Sequence, residues 1–267
     1  MSDQDDERVI HAEAETVAGE GPVQPGFDVV EMPLEGVAAY WLSLKKLCDM
    51  RRSKKVLAEE AKYTPEPFVR HLLEIGFETM PEERARAMVR AKARTVLATT
   101  RRSFDLMRLA VEAVIIKENP RLSLVRMLAH FPRPPANEER AMRRARDLAE
   151  AVTAKNADLP KLLRVGHTVP PDRQVIKLLF FILFARRRGV TALRSLLPHV
   201  GSNYFAEGIK LVADGFDPRL IDDLLRRNAS ASLAEASAKL RLSEEMFLAI
   251  RAKEPYSRLY LLAKSYL

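Results

Sequence analysis

Apolar residues recur at i, i+3, i+4 and i+7 in the windows 34–50, 68–75, 84–97, 104–116, 122–129, 139–152, 172–197, 205–213, 218–227 and 244–263. This spacing lines one face of a helix at 3.6 residues per turn, so an amphipathic helix is predicted in each window. Prolines mark most of the gaps: Pro33, Pro65, Pro67, Pro81, Pro120, Pro132, Pro134, Pro135, Pro160, Pro170, Pro171, Pro198, Pro218 and Pro255. Several stand where a first helical turn accepts proline, because the N–H there has no intrahelical partner in any case. No stretch alternates apolar and polar residues between hairpin turns. The chain is expected to be all-α.

The most apolar run is VIKLLFFILFA, Val175–Ala185, interrupted by Lys177. A membrane span needs about 20 apolar residues. The run is too short for that and predicts a buried core helix or, as the alternative, an interfacial one, so no transmembrane span is expected.

Displacing the sequence by 137 residues lays Met32–Arg90 over Val169–Arg227 without a gap. Pro33 then falls on Pro170, Leu42 on Leu179, Arg51 on Arg188, Phe68 on Phe205, Pro81 on Pro218 and Arg90 on Arg227. The order of signals also recurs: proline, apolar helix, basic cluster, break, Phe-led helix, Pro-led helix. IIKENP (Ile115–Pro120) answers IRAKEP (Ile250–Pro255) with a slip of two. Two tandem helical repeats are predicted, 32–131 and 169–267. Between them, 132–168 holds a proline-rich hinge and one charged helix of the kind that connects lobes.

Charge divides the chain further. The net charge is +8, but residues 1–31 carry nine acids against one arginine, leaving 43 bases against 27 acids in the remainder. The first segment, with Gly19, Gly21, Pro22, Pro25 and Gly26 and few large apolar residues, buries too little to offset the entropy of ordering. A disordered acidic tail is expected there. The acidic N-terminus also lacks the basic region of a signal peptide. The one cysteine, Cys48, excludes an internal disulfide framework and a cysteine zinc cluster, and its apolar neighbours make it a small core residue. These features suit a reducing cytoplasm.

The sequence carries no phosphate-cradling glycine loop. None of His11, His71, His130, His167 and His199 has a second His or Cys at metal-ligand spacing, and no nucleophile–base set is present. Asp222 and Asp223 are adjacent and diverge on a helix. No catalytic residue, cofactor, metal or small-molecule substrate is therefore expected. DGFDP, Asp214–Pro218, reads as a structural turn: Gly215 takes positive φ to close one helix, Asp217 caps the next, and Pro218 enters its first turn. Basic clusters at Arg51/Arg52/Lys54/Lys55, Arg101/Arg102, Arg143/Arg144/Arg146, Arg186/Arg187/Arg188 and Arg226/Arg227 raise nucleic acid as an alternative partner. They are not interleaved with aromatics, and acids follow several of them closely. An acidic protein surface fits better.

Within FARRRGVTALRSLLPHVGSNYFAEGIKLVADGFDPRLIDDLLRR, Phe184–Arg227, a specific pattern stands out: Ala185, Arg186, Arg187, Gly189, Ala192, Leu193, then Phe205, Gly208, Asp214, Gly215, Ile221 and Asp223. It resembles the cytoplasmic region of MotA, the flagellar stator subunit of the MotA/TolQ/ExbB group. That region reads A-R-R-x-G-x-x-A-L-E and then F-x-x-x-G-x-x-x-x-x-D-G. The first repeat is a degenerate version, with MRRSKKVLAEEA and EIGFETMPEERARAMV at the corresponding places. The resemblance implies a cytosolic face without the channel helices, located in the cytoplasm or peripherally at the inner membrane. It also implies a non-catalytic adaptor whose partner is the rotor switch protein FliG or a stator component, with self-association also open. Its implied partner-binding residues are Arg186, Arg187, Arg188 and Arg194. Arg194 stands where the family has the glutamate, so an acidic partner patch is favoured. Both Arg186 and Arg194 are expected on the polar side of one helix whose apolar side holds Leu183, Val190, Leu193 and Leu197.

Overall fold

The computed structural model describes residues 28–51, 55–76, 78–152 and 158–267. Among these the fold is all-α, without strands. The helices are α1 (Leu34–Arg51), α2 (Lys55–Tyr63), α3 (Pro67–Ile75), α4 (Glu82–Ile115), α5 (Pro120–Leu128), α6 (Glu138–Ala151), α7 (Leu159–Leu163), α8 (Pro171–Arg188), α9 (Asn203–Ala213), α10 (Pro218–Arg251) and α11 (Tyr256–Lys264). Two 3-10 turns, Val190–Ser195 and Leu197–His199, lie between α8 and α9. Among the described residues, no helix is long and apolar enough to cross a membrane.

Several predicted boundaries move. The windows 84–97 and 104–116 form the single helix α4, because the polar stretch between them contains neither Gly nor Pro. For the same reason the window 218–227 continues to Arg251. The window 244–263 divides before Pro255, where Lys253 takes φ 60° and the chain restarts as α11. The window 172–197 is not one helix either. Gly189, at φ 84° and ψ 158°, ends α8, and the chain tightens into 3-10 geometry.

The described residues pack as two compact units, those up to Arg86 with Leu242–Leu267, and Ala87–Arg241. They do not follow the predicted division into 32–131 and 169–267, since both boundaries fall inside the long helices α4 and α10. In the first unit α11 packs on α1, and in the second α5 packs on α8. Each unit thus takes its short closing helix from the other half of the sequence. Element lengths recur between the halves: α1 and α8 have 18 residues, α4 and α10 have 34, and α5 and α11 have 9. Lys117 and Lys253, the non-glycine residues of positive φ among the described residues, occupy the same place after α4 and α10.

The segment 132–168 is not a free connector. Ala141 and Ala145, fully buried and one turn apart, let α6 pack along α8 within the second unit. Nor does the predicted tail extend to residue 31. Val29 is fully buried, and the Asp28 carboxylate accepts from the Val30 N–H at 2.8 Å in a tight turn. The rest of the predicted tail, 1–27, lies outside the described residues.

The first unit centres on Trp41, Phe68, Leu72 and Phe247, with the Trp41 and Phe247 rings in edge contact at 6.5 Å. Cys48 is half-buried there, and burial raises its thiol pKa. The second unit centres on α8. Val175, Leu178, Leu179, Phe180, Phe181 and Ile182 are all buried, and the Phe181 ring meets Phe205 at 5.0 Å. The apolar run is therefore a core helix. Its one charge, Lys177, donates to the carbonyls of Lys161 and Arg164 at 3.0 and 2.9 Å.

Candidate interaction surface

The stretch singled out in the sequence lies wholly within the second unit. Its helix α8 starts at Pro171, with Asp172 in the first turn, and ends in Arg186, Arg187 and Arg188. Acid at the start and base at the end both complement the helix dipole. After Gly189, the first 3-10 turn buries Leu193 and is followed by buried Leu196. The Ser202 hydroxyl then caps α9 by accepting from the Phe205 N–H at 3.3 Å. Gly208, inside α9, lies so close to α4 that a Cβ there would stand 2.9 Å from Val111 Cγ2. The spacing from Phe205 to Gly208 thus has a packing reason.

The DGFDP segment makes the turn its composition suggests. Gly215 takes φ 79°, and the N–H groups of Gly215 and Phe216 bond back to the carbonyls of Val212 and Leu211 at 3.1 and 3.2 Å. The Asp217 carboxylate accepts from the Arg219 and Leu220 N–H groups at 2.9 and 3.2 Å, and Pro218 opens α10. Asp214 ends α9.

The four arginines separate into two kinds. Arg186 donates to the carbonyls of Lys117 and Glu118 at 3.0 and 3.2 Å, just beyond the end of α4. Arg194 pairs with the Asp214 carboxylate and donates to the Ala213 carbonyl at 3.2 Å. The expectation that both sit on the polar side of one helix is overturned, since Gly189 places Arg194 in a separate 3-10 turn. Both fasten neighbouring segments of the unit. Arg187 and Arg188 are exposed, and their side chains make no hydrogen bond or ion pair with any described residue.

Other basic clusters are partly engaged within the chain. Arg51 pairs with Glu59 at 2.9 Å, Arg102 stacks on the Phe131 ring at 5.0 Å, and Arg226 pairs with Asp222 at 2.8 Å. Asp222 also takes Arg108 at 2.9 Å. Arg52 and Lys54 lie outside the described residues.

One feature escaped the sequence reading. Phe216, Leu220 and Leu224 are 48%, 44% and 42% exposed on the outer side of the turn and α10. Beside them lies a groove of about 470 Å³ lined by Glu207, Leu211, Leu224, Leu225, Arg227, Asn228 and Ala231. The signal was present in LIDDLL. Ile221 and Leu225 form one i, i+4 pair and are buried, whereas Leu220 and Leu224 form a second pair displaced by one residue. The two pairs lie about 100° apart around the helix, and in this fold only the first of them is covered.

No protein-family model, curated protein or solved structure matches this chain.

Proposed function

We propose that this protein is a non-catalytic docking module that recognises an acidic protein surface through the end of α8. The observation that carries this is the pair Arg187 and Arg188. Both are exposed and uncommitted, beside a third arginine anchored on backbone carbonyls. Exposed charges at a rim set partner choice and association rate more than they set affinity. The resemblance of Ala185–Asp223 to the MotA cytoplasmic region supports a place at the flagellar motor, with FliG or a stator component as partner. That would put the protein in the cytoplasm or at the inner face of the membrane. The recurring helix lengths support its construction from two related copies.

The experiment is a titration of purified FliG against the full chain and against Arg187→Glu/Arg188→Glu, at low and high salt. Binding that weakens tenfold or more in the variant, with most of its salt dependence lost, is the expected result. Wild-type binding that the variant leaves unchanged removes the arginines from the docking role. Absence of wild-type binding removes FliG as the partner.

A further inference from the structure

The exposed apolar row on α10 is separate from the arginines at the end of α8, and its flanking charges point to a particular occupant. We propose that the N-terminal half of α10 packs antiparallel, about a two-fold axis, against α10 of a second copy of this chain.

Position along the helix carries the proposal. At 100° per residue, Leu220, Leu224, Arg227 and Ala231 share one outward stripe, and Asp223 borders it on the same side as Arg227. Asp223 and Arg227 are both exposed, and neither side chain has a hydrogen bond or ion pair to a described residue. The neighbouring Asp222 and Arg226, by contrast, are bonded to each other at 2.8 Å. A two-fold contact is self-complementary: if residue i meets j, then j meets i. With the axis level with Leu225, Asp223 of each copy stands opposite Arg227 of the other, giving two equivalent ion pairs.

The apolar residues fall into place in the same register. Leu224 lies on the opposite border of the stripe, beside the groove lined by Leu211, Asn228 and Ala231. Each Leu224 then enters the groove of the other copy. Leu220 is brought over the small exposed Ala231, and Phe216 towards Ala234. A single helix pair of this length is at the small end of specific interfaces, below about 1,200 Å² in total, so the dimer forms and dissociates with concentration. An unrelated helical partner would satisfy the apolar row equally well. It would have no reason to match the spacing of Asp223 and Arg227.

The test uses the full chain in sedimentation velocity across a concentration series up to about 1 mM. The wild type shifts from monomer to dimer. Asp223→Arg alone and Arg227→Asp alone each weaken the dimer by roughly tenfold or more, because each sets like charges opposite one another twice. Mixing these two variants restores association, since both contacts of the mixed pair are then of opposite sign. Circular dichroism melting of each variant confirms that the fold is retained. A wild type that stays monomeric at every concentration overturns the proposal, as does a mixture that associates no better than its components. Neither variant touches Arg187 or Arg188, so failure here and failure of the acidic-partner reading are distinguishable.

Discussion

Replacing Arg186 and Arg194 together by alanine should destabilise the protein more than replacing Arg187 and Arg188 together. Arg186 satisfies two carbonyls just past α4, and a cation so placed at a surface helix end contributes about 0.3–1 kcal/mol. A charged hydrogen bond in a dry site would be worth more, but Arg186 is exposed, and water competes for both partners. Arg194 and Asp214 have side chains 48% and 29% accessible, so their pair belongs near the upper end of surface ion pairs, about 1 kcal/mol. The two arginines share no bonding partner, so their effects should nearly add, to about 1–2 kcal/mol. For a chain of this size that lowers Tm by about 2–8 °C. Arg187→Ala/Arg188→Ala removes no side-chain bond to a described residue; it loses only the exposed charges' interaction with the α8 dipole, which the helix propensity of alanine partly offsets, so it should cost less than about 1 kcal/mol. Urea unfolding measures both variants, with the midpoint read at an unchanged m-value. If the Arg187/Arg188 variant unfolds as early as the other, or if neither differs from the wild type, the division into fastening and free arginines is wrong.

Two further outcomes follow from the second unit's core. Tyr204 is nearly buried, and its hydroxyl has no hydrogen-bond partner among the described residues. Burial raises its pKa above the ordinary 10.0, Asp105 and Asp222 raise it further, and Arg108 opposes them. Because the folded value lies above the unfolded one, this stabilisation is complete below about pH 10 and is lost as pH rises towards the folded pKa. Tyr204→Phe should equal the wild type or exceed it by up to about 1 kcal/mol at neutral pH. It should also lose less stability between about pH 9 and 11; Tyr40 of the first unit, whose pKa burial likewise raises, keeps its own share of the loss, and melting curves across that range check the sign. Phe181→Ala, which removes a fully buried ring in edge contact with Phe180 and Phe205, should cost about 3–5 kcal/mol by denaturant titration. A loss below about 1 kcal/mol would mean that α8 is not the core of its unit.

The sequence by itself determined the helical class, because a 3.6-residue apolar spacing is a local property that each segment carries whatever its neighbours do. It also determined the turn at Asp214–Pro218. Positive φ at Gly215 and the Asp217 cap need only a few adjacent residues. The core role of Val175–Ala185 was legible for a related reason, since a run apolar on every side has to be enclosed. Tertiary structure decided the rest. Periodicity fades across the polar middles of α4 and α10, so their continuity over 34 residues was hidden. Only the packing of α11 on α1 and of α5 on α8 shows that the units exchange segments between the two halves of the chain. Arg186 and Arg187 are indistinguishable as neighbours in a basic cluster. What separates them is the carbonyls of Lys117 and Glu118, brought to Arg186 from about 70 residues earlier in the chain. In the same way LIDDLL offers two apolar pairs, and only the position of α9 against α10 buries Ile221 and Leu225 and leaves Leu220 and Leu224 exposed.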